Sequence, residues 1–427
     1  MNISTGQVVL AAVLLWSHLP GQELPQLPEI PEAPQLRDYH GKYQGVVVHR
    51  IDVEPEATLI MQSLKGDVVL IGTDVNRIVI EEKITVKTRH RDHAHQTIQE
   101  VLGKLSPPTS SGEPYIFKMT NWSGRDVWYD FKVRVPRTFN IIIKSYGGDI
   151  DLSDLQGDLE AKTGGGDIAL SNSIGKIMVK TGGGDIDVFK VEGQVDLLTS
   201  GGDIEGRSVQ GKLTVVTGGG DIDFWHSKGS FTLNTGGGDI ELQSFEGTEL
   251  EARTGAGEIN ATDVTAQINF MTSGGDICAE DINGYLEVAT SGGDLCLEGL
   301  IGDAVLYTGS GDVEICKVTG SLKVKSGSGD ISVCDMTLEE PGKDESTFST
   351  SHGNVYVSFN TDKPVDIQAK IMAYTPRYGI EHIRGNVDLS YRKENGGTLG
   401  TYQTDQPFHR IVIETQEGEI TIMKGEE

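Results

Sequence analysis

The chain has 427 residues, 63 of them acidic and 36 basic, for a net charge of −27. Nucleic acid and anionic membrane surfaces both call for a basic footprint, so they are excluded as partners, and this charge suits a soluble surface protein. The length would ordinarily divide into two or three domains, but 55 glycines set in an internal repeat favour one elongated body with end pieces.

Val8–Trp16 is an apolar run too short to span a bilayer. It predicts a signal peptide over residues 1–22 and therefore export, to the periplasm or the cell surface, although the stretch before it carries no Lys or Arg. No later run is long and apolar enough for a transmembrane helix, so no integral membrane segment is expected in the mature chain. Residues 23–39 are Pro-rich and read as a linker. Residues 40–140 read as a strand-rich N-terminal cap with one short helix, Asp92–Leu105, carrying Ile98, Val101 and Leu102 on one face. His90, His93 and His95 near its start could bind a metal, but Arg89 and Arg91 interleave with them and favour a solvated charged stretch.

From residue 141 to 338 the sequence runs on an 18-residue period. Gly-Asp, nearly always followed by Ile, places its acid at Asp149, Asp167, Asp185, Asp203, Asp221 and Asp239; one 19-residue step leads to Glu258, and the period resumes at Asp276, Asp294, Asp312 and Asp330. With the acid as offset 0, offsets +1 and +3 are apolar (Ile186 and Val188, Ile222 and Phe224) while 0, +2 and +4 are mostly polar. That is the alternation of a half-buried strand. Glycine at +8 marks a turn, and a second strand follows with apolar +10 and +12, then Thr or Ser at +14 and a glycine run. The fold class expected is all-β, a single-stranded β-solenoid whose rungs stack about 4.8 Å apart into Ile, Thr and acidic columns. Residues 339–427 hold a charged insertion, two late echoes (Gly353-Asn354-Val355 and Gly418-Glu419-Ile420) and the end cap that a solenoid needs.

A column of carboxylates about 5 Å apart repels by roughly 0.8 kcal/mol per neighbouring pair in water, so something must offset it. The favoured reading is local: each Asp accepts backbone N–H bonds within its own glycine turn. A second reading is a row of Ca²⁺ ions, with Asp185, Asp203, Asp221 and Asp239 as weak candidates and the +2 acids adding oxygens. A third is paired-carboxylate glycoside chemistry at Asp185/Asp187 or Asp221/Asp223, disfavoured because the pairs are copies of one another. No nucleophile elbow, phosphate loop or Cys-x-x-Cys site occurs, and neither an enzyme activity nor a cofactor is expected.

Breaks in the repeat are better pointers. At +4, consecutive rungs carry Phe189, Arg207 and Trp225, with His226 next and Asp187, Glu205 and Asp223 alongside at +2. An Arg between two aromatics can stack on both, and exposed aromatics beside carboxylates can hold a sugar ring or a peptide. Cys278 and Cys296 sit at +2 of adjacent rungs, and Cys316 and Cys334 at +4 of the next two. Each pair is spaced for a disulfide by Cα distance, with Cβ positions wider than ideal, and a ladder of free thiols is the alternative.

Val133-Arg134-Val135-Pro136, the run Ile141-Ile142-Ile143-Lys144-Ser145-Tyr146-Gly147-Gly148-Asp149-Ile150, the repeats from Thr163-Gly164-Gly165-Gly166-Asp167-Ile168, and the closing Ile413-Glu414-Thr415-Gln416-Glu417-Gly418-Glu419-Ile420 resemble the bacterial putative-adhesin family. That is a domain of unknown function with Gly-Asp-Ile β-strand repeats, related to auto-transporter adhesin heads. The resemblance spans about residues 40–427 and implies a right-handed β-helix, an envelope or surface location and no catalytic residues. The expectation is an exported, non-enzymatic β-solenoid presenting an acidic, Thr-lined surface to an extracellular or envelope protein or glycan. The alternatives are a β-helical carbohydrate-active enzyme and a calcium-binding spacer.

Overall fold

The computed structural model describes residues 37–38, 42–54, 56–102, 114–118, 126–338, 345–372, 382–394, 397–405 and 407–425. The expected signal peptide, most of the Pro-rich linker and the start of the charged insertion lie outside the described residues. Among those described, one helix, Arg91–Leu102, accompanies strands throughout.

Successive rungs pair in parallel with an offset of one period: Ile168 opposes Ile186, then Ile204, Ile222 and Ile240. The 19-residue step is absorbed at Thr248, where Ser230 pairs with Glu249 and the extra residue is pushed out into solvent. Within a rung the inward positions are +1, +3, +6, +10, +12 and +14, as in Ile186, Val188, Val191, Val195, Leu197 and Thr199. The switch from odd to even offsets happens at +5, a residue in the left-handed region in nearly every rung (Lys190 φ 54°, His226 φ 51°). One such residue turns the chain and reverses which face its side chains take. Each apolar side chain so buried contributes about 1.5–3 kcal/mol.

One expectation is overturned. The Thr column is not an outer surface: Thr181, Thr199, Thr217 and their successors are buried. Thr181 Oγ1 donates to the Gly166 carbonyl (2.7 Å) and accepts the Gly184 N–H (3.3 Å), tying one rung to the previous one and closing its own glycine turn. The same bonds recur at Thr217 and Thr254.

The stack reaches beyond the regular repeat at both ends, out of chain order. Thr58–Leu64 and Asp67–Thr73 form a complete rung on the Asp149 rung, inserted between it and the later strands Tyr115–Lys118 and Val127–Pro136. Beyond Val127–Pro136 the sheet turns antiparallel through Arg77–Lys87, Lys42–Asp52 and Arg37–Asp38, and the helix covers this cap with Ala94, Ile98 and Val101 buried. At the other end the last strands, His409–Glu417 and Ile420–Lys424, lie between Glu345–Asn360 and the earlier Val365–Ile371 and Ile383–Gly385. Gly397–Tyr402 and Ser390–Glu394 close it with antiparallel pairing.

The +8 glycines test this packing. Gly193 has φ 131°, and a Cβ there would stand 2.0 Å from the Gly175 carbonyl oxygen, whereas a Cβ on Gly183 in the Thr-Gly-Gly-Gly turn meets nothing within 4 Å. Gly193→Ala should therefore lower stability by about 2 kcal/mol or more, and Gly183→Ala should leave it within about 0.5 kcal/mol, read as urea midpoints.

Candidate functional site

The acidic column is a hydrogen-bond ladder. Asp167 Oδ1 accepts the backbone N–H of Asp185 at 2.9 Å, Asp185 Oδ1 that of Asp203 at 2.8 Å, and Asp203 Oδ1 that of Asp221 at 2.8 Å. The ladder begins at Asp67, whose Oδ1 accepts Asp149 N–H, and runs to Asn354, whose Oδ1 accepts Glu419 N–H. The expected capping therefore occurs, but between rungs instead of within a turn: the strand stack brings the next acid's N–H closer to the carboxylate than its own turn does. Among the described residues one step is missing, from Glu258 to Asp276, at the one rung of the regular repeat whose offset-0 acid is Glu and not Asp. Asp185, Asp203, Asp221 and Asp239 thus each commit one oxygen to a backbone donor, and no cluster of three or more His, Cys, Asp or Glu with metal-binding geometry occurs among the described residues. His90, His93 and His95 are exposed beside the helix start.

Where the repeat breaks at +4, the surface is hollowed. A shallow depression of about 330 Å³ is lined by Ala169, Ser171, Asp187, Phe189, Glu205 and Arg207, with Trp225 at its far side. The strand segments at offsets +1 to +4 hold these side chains: parallel register sets Phe189 beside Arg207 and Arg207 beside Trp225. The Arg207 guanidinium lies 5.7 Å from the Trp225 ring centroid. It does not bridge both aromatics as expected, because Lys190 Nζ, 4.9 Å from the Phe189 ring, covers that ring instead. Two expected members stand apart from the hollow. His226 occupies the left-handed +5 corner, and Asp223 flanks the depression without lining it.

Sequence reading missed Ala169, Ser171 and Gly206. The first two make the hollow by being small where Phe189 is large, and that contrast was the available signal. Gly206 sits at an inward +3 position and leaves room for the next rung's Phe224, whose ring would lie 2.0 Å from a Cβ there. Phe224 in turn packs edge-on against Phe231, and Phe231 against Phe245, so the rung with the outer Trp225 also carries an aromatic cluster inside.

Electrostatics distinguish two of the +2 acids. Partial burial pushes the Asp223 carboxyl up to about 6, reinforced by Glu241 and Glu205 on either side and by Asp221 and Asp203. Asp187 is raised for the same first reason, with Asp185 and Asp167 adding repulsion. Further along the same face, Cys278 is bonded to Cys296 and Cys316 to Cys334, each pair with Cα atoms 4.6 Å apart across adjacent rungs.

The Toastrack DUF4097 family model matches residues 81–235, 172–281 and 227–423. The chain belongs to the Toastrack DUF4097 family. Membership carries a domain of unknown function with repeated β-strands and a β-solenoid-like fold; it carries no adhesin or autotransporter relationship. No curated protein matches the chain. A solved structure from Parabacteroides distasonis ATCC 8503, described as a "Putative lipid binding protein", is 15% identical over 68% of this Toastrack chain and 96% of its own, with a TM-score of 0.21, a value at which the likeness carries no argument.

Two outcomes follow from the acids of this Toastrack solenoid. Asp203→Asn keeps the Oδ1 acceptor and removes a charge from the column, so it should match or exceed the wild type in thermal melts, while Asp203→Ala should fall below the Asn variant by about 1 kcal/mol. For Asp223 the folded state holds its proton more tightly than the unfolded chain, so ionisation destabilises: the penalty is absent below about pH 3.8, grows as pH rises and is complete above about pH 6. The wild-type melting temperature should gain more than that of Asp223→Asn as pH falls from 7 to 5, and equal slopes would remove this account.

Proposed function

We propose that this protein is an exported, non-enzymatic β-solenoid that presents its acidic face to an extracellular or cell-envelope glycan or protein, with the depression at Phe189, Arg207 and Trp225 as the contact. The single observation that carries the reading is that hollow. On a face where the rungs otherwise copy one another, it gathers two aromatic rings, an Arg and the Asp187 and Glu205 carboxylates around a space left by Ala169 and Ser171. Rings offer flat apolar faces, and the flanking carboxylates and guanidinium can exchange hydrogen bonds with hydroxyl or amide groups. The cysteine pairs, closed across adjacent rungs, support export to an oxidising compartment.

A non-enzymatic role is supported by the commitment of the offset-0 acids. In each Asp185/Asp187-type pair the first member already accepts a backbone N–H, which leaves it a poor nucleophile or base. One observation favours a carbohydrate-active reading instead: Asp223, two residues from Trp225 on the same face, is raised to about 6, towards the range in which a carboxyl can serve as a general acid.

Binding of the full chain to arrays of envelope glycans and proteins tests the contact. Trp225→Ala and Phe189→Ala should each weaken the recognised ligand about tenfold without lowering the melting temperature, as loss of a ring contact worth about 1 kcal/mol or slightly more predicts. Arrays on which wild type and variants bind alike would sink the contact. Turnover of a bound glycan that disappears in Asp223→Asn would establish the enzymatic alternative. Protease shaving of intact cells addresses location: release of solenoid fragments without lysis is expected, and full protection until the envelope is opened would overturn a surface placement.

A further inference from the structure

Away from this face, the N-terminal cap buries an ionisable pair that no capping or ladder role accounts for. Arg77–Lys87 turns Ile78, Ile80, Glu82, Ile84 and Val86 into the core, so a carboxylate occupies the middle of an apolar row. Glu82 is fully buried, with Val47 and Phe131 opposite it on the two flanking strands. His49, two residues along from Val47, brings Nε2 to 3.9 Å from Glu82 Oε2, and its ring lies edge-on to Phe117 with centroids 5.8 Å apart. That separation suits an ion pair but is too long for a hydrogen bond. Among the described residues His49 Nε2 and both Glu82 carboxylate oxygens have no hydrogen-bond partner.

A buried carboxylate with no donor is tolerated only if it is neutral or faces a cation. One proton satisfies either condition, placed on the carboxyl or on the imidazole. We propose that Glu82 and His49 hold one proton between them and that this proton latches the N-terminal cap onto the solenoid, so that its loss loosens the cap. Burial raises the Glu82 carboxyl above its ordinary range, and the charge of His49 offsets this only in part.

The surroundings leave the pair to itself. Tyr115, on the more distant Tyr115–Lys118, is buried, and the other titratable groups of the buried layer on the flanking strands are Tyr43 and Tyr129. The remaining charged groups of those strands, Lys42, Arg50, Asp52, Asp130, Lys132 and Arg134, turn to the opposite side or the ends. Asp92, His93, His95 and Glu100 on the covering helix are exposed.

The sign is fixed by proton count. Above the ordinary imidazole range, about 6.5, the unfolded pair has lost both protons while the folded pair retains one, so folding of the cap takes up a proton. Between the ordinary carboxylate and imidazole values both states hold one proton, so the stabilisation is level there, and it is lost as pH rises above about 6.5 until the pair itself gives up its proton. A loosened cap uncovers the edge of the Asp67 rung, because Val127–Pro136 is the strand that covers it.

Hydrogen exchange of the full-length protein at pH 6.0 and 8.5, corrected for the intrinsic pH dependence of exchange, tests the latch. Amides of residues 42–52 and 77–87 should lose protection by about tenfold or more at the higher pH, a factor of ten for each unit of pair titration crossed. Rungs from Ile259 to Thr337 should keep theirs. In Glu82→Gln the corrected ratio for the cap should be near one; if that variant does not fold, Glu82→Leu removes the polar group altogether and carries the same expectation. Wild-type cap protection equal at the two pH values would overturn the proposal, as would a variant that retains the wild-type ratio.

Discussion

With the one exception at Glu258, each described rung hands a carboxylate or amide oxygen to the backbone of the next. The carboxylate at offset 0 accepts the following acid's N–H, and the buried hydroxyl at +14 links the preceding rung's glycine carbonyl to its own turn. These bonds depend on an identical register at every step, and register in a parallel stack is otherwise held only by the fit of apolar columns. A slip would break both ladders together. The repulsion that a column of acids must carry is thereby opposed by dipoles the strand stack already provides.

Much of this was legible in the spacing. The period alone pairs Ile168 with Ile186 and assigns the inner positions +1, +3, +10 and +12. The +5 corner was not legible, because Asn172, Lys190, Ser208, His226 and Asp263 share no side-chain type, only the ability to be held at positive φ by the stack. The Thr column lies inside in step with +10 and +12 of its own strand, and its polar side chain is what hid that. The candidate contact was half legible: Phe189, Arg207 and Trp225 announce themselves as departures, but the hollow beside them is made by what Ala169 and Ser171 lack. The late rungs at Asn354 and Glu419 were visible as echoes. Their spatial order was not, since a pattern says which residues make a rung and nothing about when the chain returns to lay it down.

The buried polar groups divide along the same lines. The Thr hydroxyls are fully partnered and recur in copy after copy, so they belong to the architecture. The Glu82 and His49 pair occurs once, in the irregular cap, without the partners that burial normally demands. The same contrast holds outside, where the offset-0 carboxylates bond to the next rung and the exceptional hollow sits among residues that break the repeat.

The threading of the last strands has a mechanical meaning. His409–Glu417 and Ile420–Lys424 are held along both edges by strands laid down before them. A pull on the end of the chain therefore cannot peel an outermost strand away one bond at a time. It must draw an interior strand out against two ladders loaded together.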